Sequence, residues 1–204
     1  MFDAIMAERI GAWVQTIGAF FTSLAVSLPE DGSKEAIRNT SMYGNLLQAF
    51  GVGLEALGVE EEELEANGQS PLFPNQLWNN STINNEVAEE FIDGGIIEMA
   101  GLVFIAFSLD ETLSDDEDFN NSLAVGGGVL QAIGAYLTLI AAEEEPYEMI
   151  MIGRFLLFIG ASASAVGGLL GDVRALDIWG EYLQFIGALL VAIALSPPFD
   201  ERFV

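Results

Sequence analysis

The sequence predicts an all-α protein, a six-helix repeat bundle with glycine-mediated close helix packing. Three observations predict it. A glycine-centred unit recurs six times with fixed internal spacing, uncharged stretches of helix length alternate with acidic runs, and the residues within each unit follow a helical period.

The unit reads Gly, any residue, two bulky apolar residues, a residue that is usually Gln, any residue, an apolar residue, and Gly. On a helix, the positions 0, 4, 7 and 11 after the first Gly form one narrow stripe, at about 100° per residue. The first copy, Gly11, Gln15 and Gly18, predicts a helix over about 5–28, and its stripe continues to Thr22. The second, Gly44, Gln48 and Gly51, predicts 41–58. The third, Gly94, Glu98 and Gly101, predicts 87–109, with a carboxylate in the amide position. The fourth, Gly127, Gln131 and Gly134, predicts 122–142 and extends to Thr138. The fifth, Gly153 and Gly160, predicts 147–171 and carries Leu157 in the middle place. The sixth, Gly180, Gln184 and Gly187, predicts 176–196. Together they describe a single helical repeat domain over 1–204, with an acidic loop over about 59–86.

The opposite face of each unit is bulky. Trp13, Val14, Ile17, Phe20 and Phe21 fill it in the first copy, and Tyr182, Leu183, Ile186, Leu189 and Leu190 in the last. A mid-helix Gly costs about 1 kcal/mol relative to Ala, and the usual return is close approach of a neighbouring backbone, with Gln hydrogen-bonded across the seam. All seventeen Gly, Gln and Glu positions named above are therefore expected to form a helix-packing stripe.

Acidic and apolar residues are both abundant and are segregated along the chain. Asp and Glu outnumber Lys and Arg by 31 to 6, for a net charge of −25, yet 51% of the chain is hydrophobic. Mean hydropathy is +0.42. Such a charge repels phosphates and anionic lipid headgroups, so no nucleic-acid partner is expected. Concentrated salt screens the self-repulsion, with a Debye length of about 3 Å at 1 M, and Lys34 is the only lysine; a salt-rich habitat is expected. The N-terminal segment carries Asp3 and Glu8 and lacks the basic start of a secretory signal, so no cleaved leader is expected.

The uncharged runs 10–28, 122–142, 155–171 and 182–199 approach the roughly 20 residues that cross a bilayer core. Six spans require Glu98 and Arg154 to face the bundle interior, where charges are costly and usually paired. Trp13, Tyr43, Tyr147, Trp179 and Tyr182 lie near segment ends, as an interfacial belt requires. In a membrane the bulky faces would meet lipid and the stripes would meet each other; in water the stripes would need a second layer or another subunit. The membrane arrangement is preferred because it uses both faces without a partner.

The sequence contains neither His nor Cys, which removes imidazole and thiolate metal ligation and every Ser-His or Cys-His nucleophile. No catalytic residue, cofactor site or metal site is expected. The acidic runs Glu60–Glu63, Asp115–Asp118 and Glu143–Glu145 could attract hard cations, and Asp116, Asp118 and Asn120 mimic the opening of a calcium loop. Asn121 and Gly127 stand where its turn Gly and closing Glu belong, so a solvated acidic surface is the better reading. Asn39, Asn79, Asn80 and Asn120 begin Asn-x-Ser/Thr triplets, a weak glycosylation signal. Gly126–Gly128 lack the preceding strand and following Lys of a phosphate loop.

The segments Ile10-Gly11-Ala12-Trp13-Val14-Gln15-Thr16-Ile17-Gly18 and Tyr43-Gly44-Asn45-Leu46-Leu47-Gln48-Ala49-Phe50-Gly51 resemble a family of uncharacterised repetitive proteins of spore-forming bacteria. Those proteins repeat a Gly-Asn-x-hydrophobic-Gln-Ala-x-Gly unit. The resemblance covers the six helices and not the loops, and it implies no activity. The family's Asn survives only at Asn45; Ala12, Gly95, Gly128, Arg154 and Glu181 occupy the equivalent places. The small face is thereby less polar, which argues against a simple soluble amphipathic repeat.

The functional expectation is a non-enzymatic, structural or self-associating bundle of the membrane or cell envelope in a salt-adapted microbe, with a homo-oligomer and the lipid bilayer as its partners. One alternative is a soluble or extracellular repeat protein that assembles into oligomers or filaments. Another is a pore-forming or transport protein whose Gln stripe lines a polar path.

Overall fold

Six helices and no strand occur among the described residues, which in this computed structural model are 4–29, 32–68, 85–114, 116–142, 148–171 and 173–196. They are α1 (Ala4–Ser27), α2 (Lys34–Ala66), α3 (Asn85–Ser108), α4 (Glu117–Ala141), α5 (Glu148–Leu169) and α6 (Arg174–Ala194). Local chemistry sets several of their ends. Asp116 caps α4 by accepting from the backbone N–H groups of Asp118 and Phe119 at 3.0 and 3.2 Å. Ser33 Oγ accepts from Ala36 N–H at 3.3 Å at the start of α2. Gly171, with φ of 85°, takes the left-handed conformation just beyond α5 that a side chain would resist.

The second helix is longer than the apolar pattern suggests. It runs through Glu60–Glu63, which the charge pattern assigns to a loop, because Glu is a good helix former and because this extension packs on the first turn of α1. A Cβ on Gly58 would lie 2.8 Å from the Ala4 carbonyl oxygen, and Glu61 is buried. At its far end the expected loop gives way to α3 from Asn85, and its residues 69–84, with the Asn79 and Asn80 triplets, lie outside the described residues, as do Tyr147 and the acidic run 143–145.

Packing is heaviest within three antiparallel hairpins, α1 with α2, α3 with α4, and α5 with α6. Lighter seams join α2 to α3, α4 to α5, and α6 back to α1, so the helices close into a ring. Hydrogen bonds fasten the closing seam at both ends. Arg9 Nε donates to the Leu195 carbonyl at 2.8 Å and Trp13 Nε1 to Ser196 Oγ at 3.0 Å, while Tyr182 and Ser27 hydroxyls pair at 2.9 Å near the other end.

The glycines sit at the hairpin seams. A Cβ on Gly11 would lie 2.6 Å from the Gly51 carbonyl oxygen, and one on Gly18 2.6 Å from that of Gly44. In the second hairpin the pairs are Gly94 with Gly134 at 2.9 Å and Gly127 with Gly101 at 2.6 Å; in the third, Gly153 with Gly187 at 2.8 Å and Gly160 with Gly180 at 2.6 Å. These distances leave no room for a side chain, so the backbones touch, as small residues permit.

Polarity is inverted relative to a water-soluble bundle. The buried apolar residues are mostly alanines, such as Ala12, Ala19, Ala188 and Ala192, whereas the largest fully buried side chains include Arg154, Gln15, Gln48, Gln184, Glu55 and Glu98. Outside, Phe20, Phe50, Ile133, Phe155, Trp179 and Ile186 stand exposed, and every one of the six helices carries such residues. A half-exposed side chain of this size forfeits on the order of 1 kcal/mol in water. Five of the helices, all but α2, are long and apolar enough to cross a membrane.

Candidate functional site

Two rows of residues turn toward the axis of the ring. The first is the stripe of Gly and Gln: Gln15, Gln48, Glu98, Gln131 and Gln184 are all buried. The second begins one residue after the first Gly of each unit. Ala12, Asn45, Gly95, Gly128 and Arg154 are buried there, and Glu181 is partly buried. Apart from Asn45, these are the places where the sequence departs from the Asn of the unit it resembles.

Odd helices run from the terminal end, where α1 begins and α6 ends, to the end that holds the hairpin turns, and even helices return. Nearer the terminal end lies a charged centre. The Arg154 guanidinium (α5) donates through Nη2 to Glu55 Oε2 (α2), and lies 4.9 Å from the centre of the Phe91 ring (α3) in cation–π geometry. Glu98 (α3) accepts from Gln15 Nε2 (α1) at 3.2 Å and faces Arg154 and Glu55 electrostatically. Glu8 adds a further negative neighbour to Glu55. Exposure of Glu55, Glu98 and Arg154 is 1%, 1% and 2%. One guanidinium thus faces at least two carboxylates, and Glu55 Oε1, Glu98 Oε2 and Arg154 Nε have no hydrogen-bond partner.

Nearer the hairpin end the interior is amide- and hydroxyl-rich. Gln131 (α4) donates to Gln184 (α6), and Gln48 (α2) donates to Thr22 Oγ1 (α1) at 3.3 Å. Thr22 in turn hydrogen-bonds Glu181 (α6). Beside Glu181 a cavity of about 310 Å³ is lined from α1, α3, α4, α5 and α6, with Asn121, Gln131, Ser164, Asp177 and Glu181 as its polar wall.

Sequence reasoning placed Glu98 in this interior set but not Glu55. A signal was present: Glu55 falls eleven residues after Gly44, on the same stripe position as Thr22 and Thr138. The Asp116 motif serves as a helix cap, and Asn39 and Asn120 lie in α2 and α4. Gly126–Gly128 are helical. Outside the helices, the Asp110 carboxyl is held below its ordinary range by hydrogen bonds from the Thr112 hydroxyl and backbone N–H.

The arrangement provides hydrogen-bonding and charged groups in a narrow apolar shell. It contains no nucleophile–base pair among the described residues. A family model described only as a family of unknown function matches residues 6–71 and 76–194 of the chain. No curated protein and no solved structure matches.

Proposed function

The chain belongs to DUF6944, a family of unknown function, and from that premise we propose that it is a non-enzymatic integral membrane bundle of the cell envelope, standing with its bulky faces in lipid and its polar rows turned to its own axis. One observation carries this reading: Glu55, Glu98 and Arg154 are sealed inside while Trp, Phe, Ile and Leu side chains cover the outside of all six helices. Intramembrane charges behave in this way, facing the bundle interior and pairing there. The six-fold Gly-Gln unit supplies the close packing that helices need where no hydrophobic force drives them together. The acidic runs between the apolar segments suit a salt-rich medium, in which their mutual repulsion is screened.

Alkaline carbonate extraction of cell membranes tests the proposal. The protein stays with the membrane pellet and leaves it only with detergent. Release into the carbonate supernatant as soluble oligomers would overturn the reading in favour of a water-soluble assembly.

A second reading, transport of small cations along the interior, is favoured by the unpartnered carboxylate oxygens and by the cavity beside Glu181. Ion flux into vesicles reconstituted with the purified protein tests it; vesicles no leakier than protein-free ones would dismiss it.

A further inference from the structure

We infer that the cavity beside Glu181 is a binding site for an alkali-metal cation. This deepens the transport reading above, but binding and passage are separable. Five of the six helices line the cavity, and only α2 does not, which makes it a feature of the ring's interior and not a crevice of one hairpin. Its polar wall consists of oxygen-bearing side chains: the carboxylates of Asp177 and Glu181, the Ser164 hydroxyl, and the amides of Asn121 and Gln131. No Lys or Arg lines it. Glu181 and Asp177 stand one turn apart on α6 and repel each other.

A second observation points to a ligand. Glu181 Oε2 and Ser164 Oγ are both buried and have no hydrogen-bond partner, on facing helices. The two are drawn together by the α5–α6 seam, where Gly180, adjacent to Glu181, packs directly against Ser164 Oγ. Buried oxygens of this kind carry a desolvation cost that a cation or its water would offset.

The donor set selects the class of cation. Calcium takes six to eight oxygens, usually with several carboxylates, and among the described residues no group of three acidic side chains comes together. Two carboxylates with neutral oxygens, in a space of about 310 Å³ that is roomy enough for several waters, suit a monovalent ion that keeps part of its hydration.

Retention of radioactive rubidium by the full-length protein in detergent tests the inference. Wild type binds saturably, Glu181→Gln and Asp177→Asn each weaken binding by about tenfold or more, and the loop variant Asp110→Asn binds as wild type does. Circular dichroism on each variant shows whether helices are intact, and Asp177→Asn serves if Glu181→Gln does not fold. Equal binding in wild type and the cavity variants, no rubidium binding at all, or displacement by calcium at far lower concentration than by potassium would overturn the site. Saturable rubidium binding without flux in vesicles would keep the site and remove the transport reading.

Discussion

Arg154 and Glu55 pair across the width of the ring, from α5 to α2, two helices that share no packing seam. The pair therefore acts as a strut between the first and third hairpins. Replacing Arg154 by Met would leave Glu55 buried without a counter-charge beside Glu98, and removal of one member of a buried pair costs about 3–5 kcal/mol. The double variant Arg154→Met, Glu55→Leu removes both charges and is expected to recover most of that loss. Thermal unfolding in detergent, followed by circular dichroism, checks the order: single variant well below wild type, double variant between them or above.

Glycine substitutions should change sign with position. A Cβ on Gly18 would come within 2.5 Å of the Gln48 backbone nitrogen, so Gly18→Ala forces α1 and α2 apart, at a cost of about 1–3 kcal/mol or more. Gly126, in the same fold and also helical, has nothing within 4 Å of its missing Cβ. Gly126→Ala is expected to stabilise by about 0.4–1 kcal/mol through reduced backbone freedom. Melting temperatures that fall equally in both would show that glycine acts here through something other than contact.

Much of this was readable in the chain because the information is periodic. Gly11, Gln15 and Gly18 announce both a helix and the face that turns inward, and the copies repeat the statement. What the sequence could not disclose is non-local. Arg154 finds Glu55 rather than Glu98 as its hydrogen-bond partner because the ring sets α5 opposite α2, a relation that no spacing encodes. Arg154 and Glu181 also lie outside the 0, 4, 7, 11 stripe, in a second inward row where Ala12, Gly95 and Gly128 have no polar side chain to draw notice and Asn45 alone is polar besides these two. The acidic end of α2 was misread for a third reason: a run of Glu looks like a solvated loop, yet Glu61 is covered by neighbouring structure that only the assembled hairpin provides.

The outward faces can be read directly, since the chain has no Cys to compete with an introduced label. Nitroxide-labelled single cysteines at Phe20, Ile133 and Phe155, on α1, α4 and α5, are expected to meet lipid. In reconstituted vesicles their spectra should broaden with dissolved oxygen and be insensitive to a water-soluble nickel chelate. A label at Thr112, in the turn between α3 and α4, should show the reverse. Chelate access at all three helical sites would place these faces in water and sink the membrane proposal.

The number of spans is the sharpest remaining question, because α2 alone falls short of the apolar criterion although it packs more heavily on α1 than any other pair of helices packs together. Gly11, Gly18, Gly44 and Gly51 hold the two backbones in contact, so if α1 spans the bilayer, α2 cannot stay outside it without unmaking that seam. Within residues 41–58 the one charged side chain, Glu55, is matched by Arg154, and Asn45 donates to the Ser41 carbonyl at 2.9 Å within its own helix. Six spans put the two chain termini on one side and the three hairpin turns on the other. Reporter fusions that fluoresce or become enzymatically active on opposite sides of the membrane, placed at the C-terminus and in the turn at Thr112, are expected to give opposite signals, with an N-terminal fusion matching the C-terminal one. Termini on opposite sides would mean five spans, with α2 lying outside the lipid and the Arg154–Glu55 strut absent from the membrane form.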